Sequence, residues 1–119
     1  MDQKYLENAK VFKAFCDETR LRVLSLLQNG EKCACVLLVM VNVEQSTLSY
    51  HMKILVESGV VAARKEGRWM YYSICPTGSE NAVNLLKGLV STTIDETDTS
   101  NEECCKQMKA IFGDISWTK

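Results

Sequence analysis

One pair of short β-type runs in an otherwise helical pattern is the feature that most constrains the fold. Residues 60–65 and 68–75 are rich in β-branched and aromatic side chains. Between them, Glu66 and Gly67 suit a two-residue turn in which glycine takes a positive φ. The sequence therefore predicts a β-hairpin. Three basic residues lie at its tip: Arg64, Lys65 and Arg68.

Two short segments with helical character precede this hairpin. An apolar stretch from Cys33 to Val41 suits one short helix, residues 42–44 interrupt it, and residues 45–58 suit a second helix that Gly59 ends. Two short helices joined by a tight turn predict a helix-turn-helix, and the hairpin behind them is then a wing. The second helix has polar side chains on one face and an apolar stripe on the other. That stripe consists of Leu48, Met52 and Leu55.

Further helices flank this unit. Apolar residues recur at helical spacing from Tyr5 to Cys16, and a second run follows Asp17, a suitable N-cap, and ends at Asn29-Gly30. The segment from Ser79 to Thr92 is strongly amphipathic. Because the elements of a winged helix already fill its core, we expect this last stripe to pack against a second copy. The predicted fold is a mostly α winged helix-turn-helix with a β-hairpin wing, dimeric through its terminal helices.

Length and composition agree with a single domain. The chain has 119 residues, of which 46% are hydrophobic, enough for one compact core. We assign residues 1–93 to the winged-helix domain and residues 94–119 to an acidic linker and cysteine-containing tail. The net charge of −1 divides into +2 for residues 1–94 and −3 for residues 95–119, so a basic patch on the domain remains compatible with nucleic-acid binding. With no long apolar run and no secretory signal pattern, we expect a cytoplasmic protein.

Four segments in the same order resemble the ArsR/SmtB family of metal-sensing repressors. FCDETRLRVLSLL (15–27) is similar to the family's core helix, and EKCAC (31–35) resembles its thiol site. QSTLSYHMKILVESGVV (45–61) resembles its recognition helix, and RKEGRWMYYSI (64–74) resembles its wing. The resemblance covers about residues 8–90. It implies a homodimer that binds a two-fold symmetric operator in double-stranded DNA and leaves it when a metal ion binds.

The DNA-reading surface is expected on the second helix of the helix-turn-helix and on the wing. Polar side chains near the start of such a helix read base edges in the major groove, and basic residues on a wing suit adjacent phosphates. Tyr50 occupies a place where similar proteins often have arginine. His51, the only histidine, is expected to hydrogen-bond near the DNA or to pack at the helix–wing junction. The predicted DNA-binding residues are Gln45, Ser46, Thr47, Ser49, Tyr50, His51, Lys53, Arg64, Lys65 and Arg68.

The six cysteines fall into different classes. Cys33 and Cys35 lie at a predicted helix start, where the positive end of the helix dipole lowers a thiol pKa and favours the thiolate that soft ions bind. Residues two apart on a regular helix point about 200° from each other. We therefore expect that this turn must unwind before both thiols hold one ion, which would bias the protein away from DNA. Cys16 and Cys75 fall on apolar positions and are expected to be buried small hydrophobes.

The resemblance also bears on the remaining ligands. The family's arsenic sensors commonly carry a CxCxxC pattern, but its third cysteine is Leu38 here, and the acidic residue usual after the pair is Val36. A third ligand must then come from elsewhere, and Cys104-Cys105 could supply it from the same chain or the partner. Three thiolates suit As(III) or Sb(III) as effector, whereas four suit cadmium, lead or zinc. The predicted metal ligands are Cys33, Cys35, Cys104 and Cys105, with no organic cofactor and no membrane partner.

Three alternatives stay open at this point. A redox-sensing repressor would use the same fold with a disulfide in place of an ion. A small thiol enzyme has less support, because CxC is not the CxxC of thioredoxin-like sites and His51 has no evident acidic partner; we predict no catalytic residue. A winged helix that binds only protein is the third alternative.

Overall fold

The computed structural model describes residues 3–92, which form five helices and a three-stranded antiparallel sheet. In chain order the elements are α1 (Gln3–Lys13), α2 (Glu18–Leu27), β1 (Lys32–Cys33), α3 (Ala34–Val41), α4 (Gln45–Glu57), β2 (Val61–Glu66), β3 (Trp69–Ile74) and α5 (Pro76–Val90). The strand order is β1-β3-β2. This architecture confirms the predicted winged helix-turn-helix. No helix within residues 3–92 has both the length and the apolar character needed to cross a bilayer.

α2 lies in the core, and its start matches the predicted N-cap. The Asp17 carboxylate accepts hydrogen bonds from the backbone N–H groups of Thr19 and Arg20, at 2.7 and 3.2 Å, which satisfies two donors that a helix start leaves unpaired. α1 ends at Lys13, before the predicted Cys16. The chain between them forms i→i−3 backbone bonds, one of which joins the Cys16 N–H to the Lys13 carbonyl, so the last turn tightens and leaves the α-helical register.

The helix-turn-helix consists of α3 and α4. Asn42 ends α3 in the left-handed conformation, with φ of 54°, which asparagine tolerates better than most residues. α4 then packs on the core through the stripe that the sequence predicts, Leu48, Met52 and Leu55, which are all buried. The tight turn therefore holds α4 across the domain with its polar face outward.

The wing is the hairpin of β2 and β3, and its turn is displaced by one residue from the prediction. Glu66 pairs with Trp69, so the turn consists of Gly67 and Arg68 rather than Glu66 and Gly67. Gly67 has φ of 62°, and a hairpin turn with glycine at its first central position matches the twist of the flanking strands. The predicted turn was wrong because β2 extends through Glu66, whose pairing the local composition does not reveal.

β1 was not predicted. It has only two residues, Lys32 and Cys33, which pair with Tyr72 and Tyr71 of β3. A strand of two residues is too short to show an alternating pattern in the sequence. It is recognised only by its pairing with β3. Because of β1, Cys33 lies in the sheet and not in a helix.

α5 begins three residues before the predicted Ser79. Pro76 occupies its first turn, where the absent N–H costs nothing and the fixed φ suits a helix. The Cys75 thiol caps the helix by accepting a bond from the Gly78 N–H at 3.4 Å. At Gly78 the start of α5 lies against the turn that follows α4, and a Cβ added there would lie 1.7 Å from the Gly59 carbonyl oxygen. Only glycine fits this close approach.

We predict that Gly78→Ala destabilises the fold, although alanine favours helices over glycine. The clash with backbone should cost about 2–3 kcal/mol, which outweighs the roughly 1 kcal/mol gain in helix propensity. Gly88→Ala is the matched control in the same helix, since nothing lies within 4 Å of its added Cβ, and it should be neutral or stabilising. Urea unfolding at one fixed protein concentration measures both. Equal effects of the two substitutions would contradict the close approach.

Candidate nucleic-acid interface and thiol site

The outer face of α4 presents most of the predicted DNA-reading residues to solvent. Its side chains Gln45, Ser46, Ser49, Tyr50 and Lys53 are exposed, and that of Thr47 is half-buried. The helix begins at Gln45 after Glu44, whose side chain makes no capping bond. The N–H groups of the first turn therefore remain available to an anion such as a DNA phosphate.

His51 is placed differently from the rest of this set. It is 8% exposed, and its Nδ1 lies 2.8 Å from Nη1 of the buried Arg20. Because a guanidinium only donates, Nδ1 must accept, which leaves the ring proton on Nε2. His51 therefore packs between α4 and α2 in this structure, as one of its two predicted roles requires, and its contact with DNA stays a prediction. The sequence pattern of α4 did not distinguish a DNA contact from a packing role, because His51 borders the buried stripe.

An acidic residue lies near this histidine after all. His51 Nε2 is 3.8 Å from the Asp17 carboxylate, too far for a hydrogen bond. Burial raises the pKa of Asp17, but the backbone N–H bonds from Arg20 and Thr19, together with the charge of Arg20, lower it overall. Arg20 Nη2 also donates to the Lys13 carbonyl at 3.1 Å. These contacts tie α4 to α2 and to the end of α1, which is a structural rather than a catalytic arrangement.

The basic residues of the wing differ in what they contact. Lys65 and Arg68 are exposed, and no ion pair of either is found within residues 3–92. Arg64 instead donates to the carboxylates of Glu31 and Glu66. The hydrogen bonds from Arg64 hold the pKa of Glu31 below its usual range. The guanidinium predicted to contact phosphate is thus already engaged by two acids.

The thiol pair lies at the junction of β1 and α3. Cys33 is the N-cap of α3 with extended backbone (φ −69°, ψ 145°), and Cys35 lies in the first turn. Their Sγ atoms are 2.9 Å apart. The expectation that the two side chains diverge by 200° was wrong, because Cys33 stands outside the helix and the helical rotation does not apply to it. No unwinding is needed to bring both sulfur atoms to one ion.

The two thiols differ in acidity. A hydrogen bond from Cys35, together with the backbone N–H groups of Cys35 and Val36, lowers the pKa of Cys33. The neighbouring Cys33 sulfur raises the pKa of Cys35. The arrangement is a thiol of lowered pKa at a helix N-terminus with a second thiol beside it, which suits a soft ion or an oxidant.

Neither Cys16 nor Cys75 joins this pair. Cys16 is exposed, with its Sγ donating to the Phe12 carbonyl at 3.3 Å, and Cys75 is half-buried as the N-cap of α5. The prediction that both are buried core residues was wrong, since each follows the end of an element instead of lying within it. Cys104 and Cys105 lie outside the described residues. Within residues 3–92, no three side chains of His, Cys, Asp or Glu cluster as a metal site.

A cavity of about 420 Å³ joins the thiol pair to the predicted DNA-reading surface. Cys33 and Cys35 form part of one wall, Gln45 and Ser49 of α4 form another, and Arg68 closes it from the wing. The sequence did not reveal this contact, because it arises when the hairpin folds back over α3 and α4. The apolar and aromatic lining, which sequence reasoning missed, includes Leu38, Met52, Trp69, Met70 and Tyr72.

Known proteins resemble the chain over the same region. The family model described as bacterial regulatory protein, arsR family, matches residues 17–63, from the N-cap of α2 into β2. An HTH-type transcriptional regulator of Methanocaldococcus jannaschii is 41% identical over 88 residues, which cover 73% of this chain and 99% of that relative. The chain belongs to the ArsR family. The arsenical resistance operon repressor of Staphylococcus aureus is 36% identical to this ArsR-family protein over 107 residues, covering 89% of the chain and 95% of the repressor.

The fold of this ArsR-family protein is shared with solved relatives. A crystal structure described as a possible transcriptional regulator for arsenical resistance matches it with a TM-score of 0.61 at 30% identity, covering 79% of this chain and 95% of that one. The family consists of DNA-binding transcriptional regulators and not of enzymes. This member is therefore a transcriptional repressor, and the thiol-enzyme alternative does not apply.

Proposed function

We propose that this repressor binds its operator as a homodimer through α4 and the wing, and that a thiophilic ion on its cysteines releases it. The observation that carries the proposal is the single cavity that both thiols line together with Gln45 and Ser49. A ligand bound at the thiols lies next to the side chains that would read DNA. Binding of the effector and binding of the operator therefore favour different positions of the same elements.

The proposed DNA contacts follow from exposure and helix position. With α4 in the major groove, its outward polar side chains reach base edges and phosphates. Lys65 and Arg68 extend the positive surface to adjacent phosphates. The proposed contacts on α4 are Gln45, Ser46, Thr47, Ser49, Tyr50 and Lys53.

The proposed dimer uses apolar residues that a single chain leaves uncovered. Tyr5 and Leu6 of α1 and Val83, Leu86 and Leu89 of α5 are each more than half exposed. α1 packs against α5, so these side chains can form one continuous surface. A second copy would cover it with an identical apolar surface.

The proposed effector is As(III) or Sb(III), held by Cys33 and Cys35 with Cys104 or Cys105 completing three thiolates. Two free thiols at 2.9 Å, one with a lowered pKa, fit such an ion. The Staphylococcus aureus relative is an arsenical resistance operon repressor, which supports the choice. All four thiols would instead suit cadmium, lead or zinc.

A redox response is the second candidate, and the same short sulfur–sulfur distance favours it. A peroxide would join the Cys33 and Cys35 sulfur atoms as a disulfide. Both thiols would lose a proton, and the two electrons would reduce the peroxide O–O bond to water or to water and an alcohol. The lowered pKa of Cys33 would make its sulfur the attacking thiolate.

We predict that the chain sediments as a dimer at micromolar concentration. Leu86→Glu should shift it to monomers, because a charge would then lie in the apolar interface. Analytical ultracentrifugation measures the mass. Leu21→Glu, at a half-exposed residue of α2, is the control and should stay dimeric. A monomeric wild-type protein would contradict the proposed interface.

Lys65→Gln and Arg68→Gln should each weaken binding to operator and random DNA alike. Each removes one phosphate contact, so the slope of log affinity against log salt concentration should fall by about 1. Fluorescence anisotropy across a salt series measures the slope. Lys87→Gln on α5 changes the net charge by the same amount and should leave the slope unaltered. An unchanged slope in a wing variant removes that residue from the contact surface.

Arsenite should release the reduced protein from its promoter DNA at about one equivalent per chain. The double variant Cys33→Ser/Cys35→Ser should bind DNA normally and resist release, whereas Cys16→Ser should respond like the wild type. Loss of release in Cys104→Ser/Cys105→Ser would place the remaining ligands in the tail. Release by cadmium alone would favour a four-thiolate sensor. Release by peroxide alone, reversed by dithiothreitol, would favour the redox response.

A further inference from the structure

Arg64 is the most fully engaged exposed side chain in the described part of the protein. Its Nε and Nη2 donate to the two carboxylate oxygens of Glu31 at 3.0 and 2.7 Å, which is the paired geometry that makes arginine–carboxylate bonds strong and directional. Its Nη1 donates to Glu66 at 2.9 Å. Every guanidinium nitrogen therefore has an acidic partner.

The sheet register connects this ion pair to the thiol site. Cys33 of β1 pairs with Tyr71 of β3, and Tyr71 pairs with Arg64 of β2. Side chains at paired positions lie on the same face of a sheet. The Arg64 guanidinium also lies over the Tyr71 ring, 4.6 Å from its centroid, a favourable cation–π contact. Thiol, ring and guanidinium thus lie in one row across three strands.

Glu31 links the Arg64 guanidinium to the thiol segment along the chain. It precedes Cys33 by two residues, and β1 is attached to β3 by only two paired residues. A two-residue strand provides few backbone bonds. The bonds from Arg64 to Glu31 therefore add a side-chain attachment of this segment to the wing.

We propose that the Glu31–Arg64 pair is the positioning contact that transmits ligand binding at Cys33 and Cys35 to the wing. The inference rests on the proposed function. A bound ion sets the separation of two thiolates by its own bond lengths and angles, so binding shifts the Cys33 and Cys35 sulfur atoms from their 2.9 Å contact. Movement of Cys33 carries Glu31 with it, and Arg64 passes the displacement to β2. Arg64 then acts on DNA through the orientation of the wing, not through a phosphate.

The test measures two quantities for each variant. The first is the arsenite affinity of the free protein, followed by the ultraviolet absorbance of arsenic–thiolate bonds. The second is the coupling factor, the ratio of operator affinities without and with saturating arsenite. The variants are Glu31→Gln, Arg64→Gln and the double variant. Glu66→Gln is the matched control, because it removes one bond to Arg64 that stays within the wing.

Glu31→Gln and Arg64→Gln should each lower the coupling factor by about fivefold or more, with arsenite affinity changed by less. The double variant should be no worse than either single variant, since both remove one contact. Glu66→Gln should match the wild type. A wild-type coupling factor in Glu31→Gln overturns the proposal. So does a salt slope that falls by about 1 in Arg64→Gln alone, since Arg64 would then contact phosphate.

A second measurement does not require that arsenite be the effector. Iodoacetamide should alkylate Cys33 several times faster in both single variants than in wild type, because the segment is released from the wing. The two substitutions change the local charge in opposite directions, so a rise in both is not an electrostatic effect on the thiol. Unchanged rates overturn the proposal. If arsenite does not bind the wild type but both rates rise, the proposed effector fails and the contact stands.

Discussion

The inward face of α4 determines what its outward face can do. Leu48, Met52 and Leu55 lie in the core, and the Arg20–His51 bond ties the same helix to α2. A helix held by a buried stripe and a buried hydrogen bond cannot rotate about its axis without exposing both. The polar side chains on the other face therefore have fixed positions. The proposed reading of DNA by α4 depends on that constraint.

The thiol site depends on a different constraint, the change from strand to helix at Cys33. An extended N-cap turns its side chain out of the helical rotation, and so Cys33 meets Cys35 in the lining of the cavity. The same residue belongs to β1, which pairs with the wing. One short segment is thereby attached to the thiol pair and to the hairpin. In the proposed transmission, regulation acts through this attachment and not through the packing of α2 against α4.

Sequence patterns predicted the elements whose signals are local. The Asp17 N-cap, the turn at Asn42 and the stripe of α4 each depend on residues within a few positions of one another. The hairpin was also predicted, although its turn was displaced by one residue because strand pairing, and not composition, decides where β2 ends. His51 was ambiguous because it borders the buried stripe. Its role depends on Arg20, 31 residues earlier in the chain.

The sequence by itself determined the fold class, the winged helix-turn-helix order and the family, since periodicity, caps and motifs are written in neighbouring residues. Tertiary structure decided that β1 exists, that the two thiols converge, that Arg64 binds Glu31 instead of lying free, and that a cavity joins Cys33 and Cys35 to Gln45 and Ser49. Each of these depends on segments far apart in the chain that meet only when the hairpin folds back over the helices. No local pattern encodes the distance between such segments, because packing of the whole domain sets it.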